Sequence, residues 1–461
     1  MAARRGPVSV HPAVTSIPIR LAEAQAPRYT SYPTAPHFHD GVDGEVYRGW
    51  LEALPAGTPL SLYLHVPFCH QLCWYCGCHT AVANDYKRVG AYVGLLRQEI
   101  GLLAEVLGHG RPVSGLHWGG GTPSILSAED FTAVMARLRE VFEFQAGAEL
   151  AIEIDPRHLT AEKAAALAAA GINRASLGVQ DFNPHVQDAI NRVQPYETTA
   201  AAAGMLRETG IGALNVDLMY GLPHQGLNDV KQTAALTAEI RPDRVSVFGY
   251  AHVPWMKKHQ RMIDTQALPG AEARLAQADL AERVLQLQGY RAVGLDHFAL
   301  PGDPLFRAAG EGELRRNFQG YTTDRAEVLL GLGVSSIGHL PQGYAQNDKD
   351  LVAYGKALRA GRLPVVRGIA LSAEDRLRRA VIQALMCDFA VDLDAQTAAQ
   401  GQAGFDFSES LTRLAPLADE GLARIDGGRV QVSAEGRRVV RLIAACFDGY
   451  LGAGGRHSRA V

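Results

Sequence analysis

Between residues 59 and 254 the chain repeats one pattern six times: a short β-rich run, a turn, then an Ala/Leu-rich helical stretch. The β-rich runs fall at 59–68, 115–120, 149–155, 174–181, 213–221 and 244–251. Several alternate or run apolar, as strands covered on both faces do. Helix signals punctuate the intervals: Ser127 with Asp130 three residues on, Thr160 before an Ala-rich run, and Gly171 where a helix would stop. Strand and helix in alternation build parallel sheets, because parallel neighbours need a crossover element between them. The pattern predicts an α/β fold, a partial (β/α)6 parallel barrel.

In such a barrel the functional groups gather at the C-terminal ends of the strands. The distinctive residues of this chain sit there. A cysteine cluster follows the first run, and Gly119-Gly120-Gly121-Thr122 ends the second. Glu153 lies near the end of the third, Gln180 ends the fourth, Asp217 lies in the fifth, and Tyr250-Ala251-His252 ends the sixth. One shared site is predicted.

Past about residue 345 the character changes. Helices are predicted at 372–388 and 411–420, a hairpin over 422–432 turning at Asp426-Gly427-Gly428, and a helix from there to about 450. The organisation read from this has three parts. An N-terminal tail and substrate-covering segment spans 1–45, a catalytic barrel with an extension 46–345, and a smaller, mostly helical, winged-helix-like domain 346–461. The first 22 residues hold Arg4, Arg5 and Arg20 and no acid, but Pro7, Pro12 and Pro18 break the amphipathic helix a transit peptide needs, so a flexible tail is expected. The last residues, 452–461, read as a frayed end.

Over 461 residues, 47% are hydrophobic and 20% charged, which suits a folded chain. The formal net charge of −3 argues against a nucleic-acid partner, since phosphate contacts need a surplus of Lys and Arg. No apolar run reaches the roughly 18–20 residues that span a bilayer, so no membrane partner and a cytoplasmic location are expected. Four of the six cysteines, Cys69, Cys73, Cys76 and Cys78, fall within ten residues. Clustered cysteines in a large chain point to metal or redox chemistry; the isolated Cys387 and Cys446 read as buried or inert thiols.

The cluster lies in His65-Val66-Pro67-Phe68-Cys69-His70-Gln71-Leu72-Cys73-Trp74-Tyr75-Cys76-Gly77-Cys78. Three thiolates separated by three and then two residues can wrap one face of a cubane iron–sulfur cluster. Three ligands for four irons leave one iron open, and the amino and carboxylate groups of S-adenosylmethionine fit that vacancy. The rival is a structural zinc site using Cys78, His70 or His79 as a further ligand. Structural zinc usually joins two ligand pairs across a longer stretch, so so compressed a set is awkward for one tetrahedron. The glycine run taken alone marks a tight turn, and no Lys-Ser/Thr follows to make a phosphate loop.

The C-x3-C-x2-C spacing, with aromatic Tyr75 before the third cysteine, resembles the signature of the radical S-adenosylmethionine superfamily. Gly119-Gly120-Gly121-Thr122-Pro123 is similar to that superfamily's glycine motif. From about Arg28 to Tyr450 the chain resembles, within it, the oxygen-independent coproporphyrinogen III oxidases. The words that carry this are Arg28-Tyr29-Thr30-Ser31-Tyr32-Pro33-Thr34, Cys78, His117-Trp118-Gly119-Gly120-Gly121, Gly178-Val179-Gln180-Asp181-Phe182, Tyr250-Ala251-His252, Asp296-His297-Phe298-Ala299 and Asn317-Phe318-Gln319-Gly320-Tyr321-Thr322-Thr323. One departure is Gly249, where some relatives carry Asn.

The resemblance implies one [4Fe–4S] cluster on Cys69, Cys73 and Cys76, and two molecules of S-adenosylmethionine. Tyr63, Gly120, Glu153 and Ile337 would contact the first molecule; Tyr75, Gly121, Thr122, Gln180, Arg192, Asp217 and Ala251 would surround the second. Glu153, Cys78, Phe318 and Gln319 are the implied catalytic set, and Arg28 and Tyr29 are implied to close the site. The implied reaction converts two propionates of coproporphyrinogen III to vinyls by a 5′-deoxyadenosyl radical, in a monomer served by a donor such as flavodoxin or ferredoxin. Two alternatives come from related proteins: a haem chaperone and a haem-modifying radical enzyme. The chaperones typically lack both the Arg28–Pro33 words and a cysteine at position 78, and both are present here.

Overall fold

The computed structural model describes residues 17–452 and 458–460. Six strands lie side by side in chain order and all run parallel: β1 (Leu60–Val66), β2 (Arg111–Gly120), β3 (Phe142–Ile154), β4 (Arg174–Gln180), β5 (Ala213–Tyr220) and β6 (Arg244–Gly249). Beyond β6 the sheet continues with antiparallel β7 (Arg291–Val293) and β8 (His297–Ala299), β8 pairing with both β6 and β7. On the other side of β1 lies a seventh parallel strand, β9 (Val328–Leu332). Antiparallel β10 (Ile337–Leu340), β11 (Gly343–Asn347) and β12 (Val365–Ala370) follow it. The edges β12 and β7 do not pair with each other, so the barrel is partial.

The two faces of the parallel strands differ in chemistry. Leu60, Leu62, Leu64 and Val66 of β1, Leu116 and Trp118 of β2, Leu150 and Ile152 of β3, and Leu214 and Val216 of β5 are buried in one apolar core. The alternate positions carry Ser61, His117, Glu153, Ser176, Asn215, Asp217 and Ser246, which face a shared cavity. With a period of two, one face is committed to helix packing and the other is left polar. The interior is therefore a ligand chamber, not a filled core.

The crossover helices form as their caps foretold. In α1 (Tyr86–Leu107) the residues Val89, Val93, Leu96, Ile100, Leu103 and Leu107 recur every three or four positions and are buried. At α2 (Ala128–Val141) the Ser127 side chain accepts from Asp130 N at 3.1 Å. The reciprocal arm of a capping box is absent; Ser127 N instead donates to the Tyr86 hydroxyl at 2.7 Å. Thr160 caps α3 (Ala161–Ala169) through Lys163 N, and Gly171 takes φ 88° just past its end, a conformation glycine adopts without a Cβ penalty.

Near the strands' N-terminal ends the barrel is closed by charge. Asp303, with only 2% of its side chain exposed, bonds Arg244 at 2.8 Å and Arg174 at 3.3 Å, and Arg174 also reaches Glu149 at 2.7 Å.

The sheet runs to Ala370, past the expected boundary near residue 345, because β11 and β12 form an antiparallel ladder with β10. Such short mixed strands carry no parallel-barrel signature. The C-terminal unit then opens at Ser372, which with Asp375 makes a reciprocal capping box on α4 (Ala373–Asp388). Helices Leu393–Ala399 and Ser408–Asp419 and a three-stranded sheet of 390–392, 423–426 and 429–432 complete a winged-helix-like arrangement. The final helix is shorter than expected, Val440–Ala445 after a 3-10 turn at Gly436–Val439.

Residues 17–22, expected to be flexible, are packed: Ile17 and Ala22, together with Tyr29 and Tyr32, join the core of the C-terminal unit. The Tyr29 hydroxyl donates to Asp448 at 2.9 Å, and Gly449 N donates to the Tyr32 hydroxyl at 2.9 Å. The rest of the expected tail, residues 1–16, lies outside the described residues. Of the expected frayed end, 453–457 and 461 also lie outside them. Ser458 and Ala460, by contrast, pair with Ala26 and Ala24 through backbone hydrogen bonds. Among the described residues no helix is long and apolar enough to cross a membrane.

Candidate functional site

A cavity of about 690 Å³ occupies the polar interior and opens at the C-terminal ends of the strands. Its mouth carries the loop after β1, with Cys69, Cys73, Cys76 and Cys78 all lining it. That loop is pinned from several sides. Ala81 N donates to Pro67 O and Ala83 N to Cys69 O, tying its two ends together. Trp74 N donates to Ile190 O at 2.9 Å, Asn191 Nδ2 to Leu72 O at 2.9 Å, and Gln260 Nε2 to Tyr75 O at 2.9 Å. Tyr75 packs with Val186, Ile190, Leu222, Tyr250 and Ile263. Segments after β4 and β6 thus hold the loop over the barrel.

The glycine turn at the end of β2 needs its missing side chains. Gly120 has φ 115°, and a Cβ there would stand 2.7 Å from the His65 ring. A Cβ on Gly121 would stand 2.4 Å from Phe68 O and 2.6 Å from Thr80 Oγ1. Gly121 N donates to Val66 O and Thr122 N to Phe68 O, both at 2.8 Å, so the turn grips the base of the cysteine loop. Cys69 Sγ lies 3.2 Å from Thr80 Oγ1 in the same knot.

Glu153 reaches this turn from β3. Gly120 N donates to Glu153 Oε2 at 3.2 Å, and His117 Nε2 donates to Oε1 at 3.0 Å. His65 is buried and its pKa falls to about 4, chiefly through desolvation. The ring is neutral: Nε2 donates to His79 O at 2.8 Å, and Nδ1 accepts from the Tyr63 hydroxyl at 3.0 Å.

Arg192, with 8% of its side chain exposed, donates to Gly178 O at 2.6 Å and to Cys73 Sγ at 3.4 Å, and its Nε has no partner. Arg157 grips Asp155 with two nitrogens and reaches Cys73 Sγ at 3.9 Å. Burial would raise the Asp155 carboxyl, but Arg157 and Arg192 hold it below the usual carboxylate range. Two guanidiniums thus converge on one thiol. Asp217 accepts from Ser176 at 2.8 Å and from Asn215 at 2.8 Å, while burial pushes its pKa up. Gln180 is buried with φ 72°, just after a register shift between β4 and β5. Such a bulge re-aims a strand's last side chain, and the left-handed backbone there is strained for a non-glycine residue.

The structure therefore brings Cys69, Cys73, Cys76, Cys78, Tyr75, Gly120, Gly121, Thr122, Glu153, Gln180, Arg192, Asp217 and Gln319 around one cavity. Tyr63, Ala251 and Ile337 do not line it. Tyr63 turns its hydroxyl to His65, Ala251 offers its carbonyl to Gln260 at 3.2 Å, and Ile337 packs beside Phe38 and Tyr344. Phe318 faces a second chamber. Arg28 donates to Gly249 O at 3.3 Å. At Gly249 a side chain would meet Tyr220 and Arg274, which fill the space an Asn would take. Residue reading missed His117, Asp155 and Arg157 as site members. His117 was signalled by its place two residues before Gly119 on the polar face of β2, the other two by charge just past a strand end.

Residues 63–237 match the Radical SAM superfamily and residues 371–439 match the HemN C-terminal domain. An oxygen-independent coproporphyrinogen III oxidase of Bradyrhizobium diazoefficiens is 50% identical over 444 residues, 96% of this chain and 99% of the relative. The chain belongs to the oxygen-independent coproporphyrinogen III oxidase family. A family member from Paracoccus denitrificans is 47% identical over 96% of this chain and 98% of its own length. The solved structure of the Escherichia coli coproporphyrinogen III oxidase, described as a radical SAM enzyme, matches with a TM-score of 0.88 and 43% identity, covering 92% of this chain and 98% of that one.

Membership of this family implies a [4Fe–4S] cluster and S-adenosylmethionine. The site fits both. Its mouth carries thiols, the donors such clusters take, and the buried Arg192 and half-buried Arg157 would offset the negative charge of thiolate ligands. Among the described residues no three His, Cys, Asp or Glu groups close around a single metal ion. Gly120 and Gly121 line the cavity together with Glu153, which sets a carboxylate and backbone polar groups side by side for an amino-acid moiety.

Proposed function

We propose that this chain converts two propionates of coproporphyrinogen III to vinyls without oxygen, giving protoporphyrinogen IX in haem biosynthesis. One observation carries the reading: three cysteines of one loop share the mouth of a polar barrel with Glu153, Arg192 and Asp217. The family match over 96% of the chain supplies the substrate.

When bound, the cluster would supply the electron that splits S-adenosylmethionine into methionine and a 5′-deoxyadenosyl radical able to take hydrogen from a propionate β-carbon, after which carbon dioxide and one electron, passed to an external acceptor, would leave to form the vinyl group. The protein's task is to position and to exclude water. Cys69, Cys73 and Cys76 hold the cluster. Glu153, fixed by His117 and Gly120 N, presents a carboxylate to an α-ammonium group in the cavity. Tyr63 donates to the neutral His65 beneath the turn, and Ile337 packs beside Phe38 and Tyr344.

A second S-adenosylmethionine is part of the proposal. Arg192, whose Nε is unpartnered, would take its carboxylate, and Asp217 its ribose or amine. Tyr75, Gly121, Thr122, Gln180 and Ala251 would shape that compartment. The Thr122 hydroxyl accepts from Asp155 N at 3.1 Å, so it acts by holding Asp155. Cys78 flanks the cluster loop, and Gln319 and Phe318 stand on the two sides of one hairpin between the chambers. A monomer in the cytoplasm, reduced by flavodoxin or ferredoxin, completes the reading.

The test is anaerobic reconstitution with iron, sulfide and reductant, followed by S-adenosylmethionine and coproporphyrinogen III. Protoporphyrinogen IX should form, and Cys76→Ser should lose iron and product together. An intact, reducible cluster that yields no vinyl product would refute the proposal.

A further inference from the structure

A second chamber of about 630 Å³ lies between β9–β11, the N-terminal segment Tyr29–Tyr32 and α4. Both chambers fall in the range of about 300–1,000 Å³ typical of small-molecule sites. They share Ser61, Asn317, Thr322, Asp324, Arg325 and Leu329 as lining, so they meet across the 315–322 hairpin. Apart from Phe318, none of the residues assigned above to the cluster, S-adenosylmethionine or catalysis lines the second one.

Its chemistry is cationic in a chain whose net charge is −3. Arg315, Arg316, Arg325, Arg376 and Arg379 line it, against Asp324, Glu327 and Asp388. The ion pairs of this region join Arg325 to Glu313, Arg378 to Glu374 and Arg316 to Asp296. Among the described residues that leaves Arg315, Arg376 and Arg379 outside any close ion pair, Arg315 acting on the Asp388 carboxyl only at longer range. Arg315 donates to Leu314 O at 3.2 Å and Arg376 to Leu371 O at 2.8 Å, which orients each guanidinium and leaves other nitrogens available. Arg379 is held by His339 Nε2 and lies over the Tyr344 ring. Burial and Arg379 keep His339 uncharged, so it accepts from the arginine instead of competing with it. Deeper in, Arg316 is 7% exposed, and neither its Nε nor its Nη1 completes a hydrogen bond.

An arginine that faces a cavity outside any ion pair is a site for a carboxylate, since the planar fork matches one with two parallel bonds. Arg379 is half-buried, Arg315 and Arg376 are exposed, and Arg316 adds buried positive charge beside its partner Asp296. Coproporphyrinogen carries four propionates and the reaction consumes two. Two survive every turnover and need cationic partners away from the radical. We propose that Arg315, Arg316, Arg376 and Arg379 bind the propionates that the enzyme does not decarboxylate. The macrocycle is then seated in the second chamber while a reacting propionate passes the hairpin into the first. This rests on the decarboxylase reading above.

The test compares wild type with Arg376→Gln/Arg379→Gln, Arg379→Lys and Arg315→Gln in the reconstituted enzyme. Because Arg379 also contacts His339, the exposed Arg315 supplies a variant that does not disturb packing. The first readout is fluorescence titration with coproporphyrin III, which keeps all four carboxylates, and with its tetramethyl ester, which has none. The second is KM against kcat for coproporphyrinogen III. Wild type should prefer the acid; the double variant should lose that preference and raise KM about tenfold or more, with the smaller change in kcat. Arg315→Gln should raise KM in the same direction, and Arg379→Lys should fall between. Variants that keep wild-type KM and still prefer the acid would overturn the arginine site while leaving the decarboxylase reading intact. A wild-type enzyme that makes no vinyl product would instead defeat that reading.

Discussion

Replacing Gly121 with alanine asks whether the grip of the β2 turn on the cysteine loop matters for chemistry. The added Cβ would stand 2.4 Å from Phe68 O and 2.6 Å from Thr80 Oγ1. Carbon and oxygen rest together only beyond roughly 3.2 Å, so the Phe68 carbonyl must retreat by about 1 Å. That carbonyl accepts from Thr122 N, and the neighbouring Gly121 N donates to Val66 O, so moving it strains two buried backbone bonds. Overpacking costs about 1–3 kcal/mol, and each weakened bond adds about 1 kcal/mol. Phe68 immediately precedes Cys69, so the shift is handed to the first thiol. A displacement near 1 Å at a reacting centre costs about a hundredfold in rate. Gly94→Ala is the control, because a Cβ there lies on the exposed side of α1 and meets nothing within 4 Å. The assay measures iron and sulfide per chain, thermal unfolding, and vinyl formation under anoxia. Gly121→Ala should unfold at lower temperature and lose about two orders of magnitude in rate, while Gly94→Ala keeps the rate and unfolds at an equal or higher temperature, since alanine is favoured over glycine inside a helix. Wild-type rate and iron content in Gly121→Ala would refute the reasoning.

Three further outcomes follow from single groups. Asp303→Asn removes the more buried of the two carboxylates that Arg174 and Arg244 share, leaving Glu149, so thermal unfolding should show a loss of about 1–3 kcal/mol. Glu99 is 2% exposed and accepts from Tyr354, Gly333 N and Asn347, yet desolvation lifts its pKa to about 7. Because the folded value lies above the unfolded one, its stabilisation is full below about pH 4.5 and is lost as pH rises through about 7, a change of about 3 kcal/mol. Denaturant titrations from pH 5 to 8 should show this slope in wild type and not in Glu99→Gln; equal slopes would rule it out. Glu153→Gln keeps an acceptor for Gly120 N but loses the charge, so calorimetry on the reconstituted protein should show S-adenosylmethionine binding weakened about tenfold.

Much of this architecture was readable before any coordinates. The six β-runs became β1–β6 because alternation of strand and helix is a local property, carried by spacing within ten or twenty residues. The caps at Ser127, Thr160 and Ser372 act over three residues, and the cysteine loop and glycine turn are contiguous words. Other features escaped for the opposite reason. Strand β9 pairs with β1 across more than 260 residues, and nothing in Val328-Leu329-Leu330-Gly331-Leu332 names its partner. The sheet's passage to Ala370 depends likewise on β11 and β12 finding each other.

The site divides the same way. Which residues could do chemistry follows in part from side-chain type and position at strand ends, as for Cys69, Cys73, Cys76, Glu153 and Asp217, whereas Arg192 came only from the resemblance to the family. How those residues are held came from packing. His117 bonds Glu153, Arg157 and Arg192 converge on Cys73, and Tyr63 faces His65 instead of the cavity. The arginine-lined chamber exists only where hairpin, N-terminal segment and α4 meet. Periodicity and motif are written along the chain, where neighbours interact whatever the remainder does. Contacts between distant segments arise when the whole apolar core closes, and their distances are set by that closure.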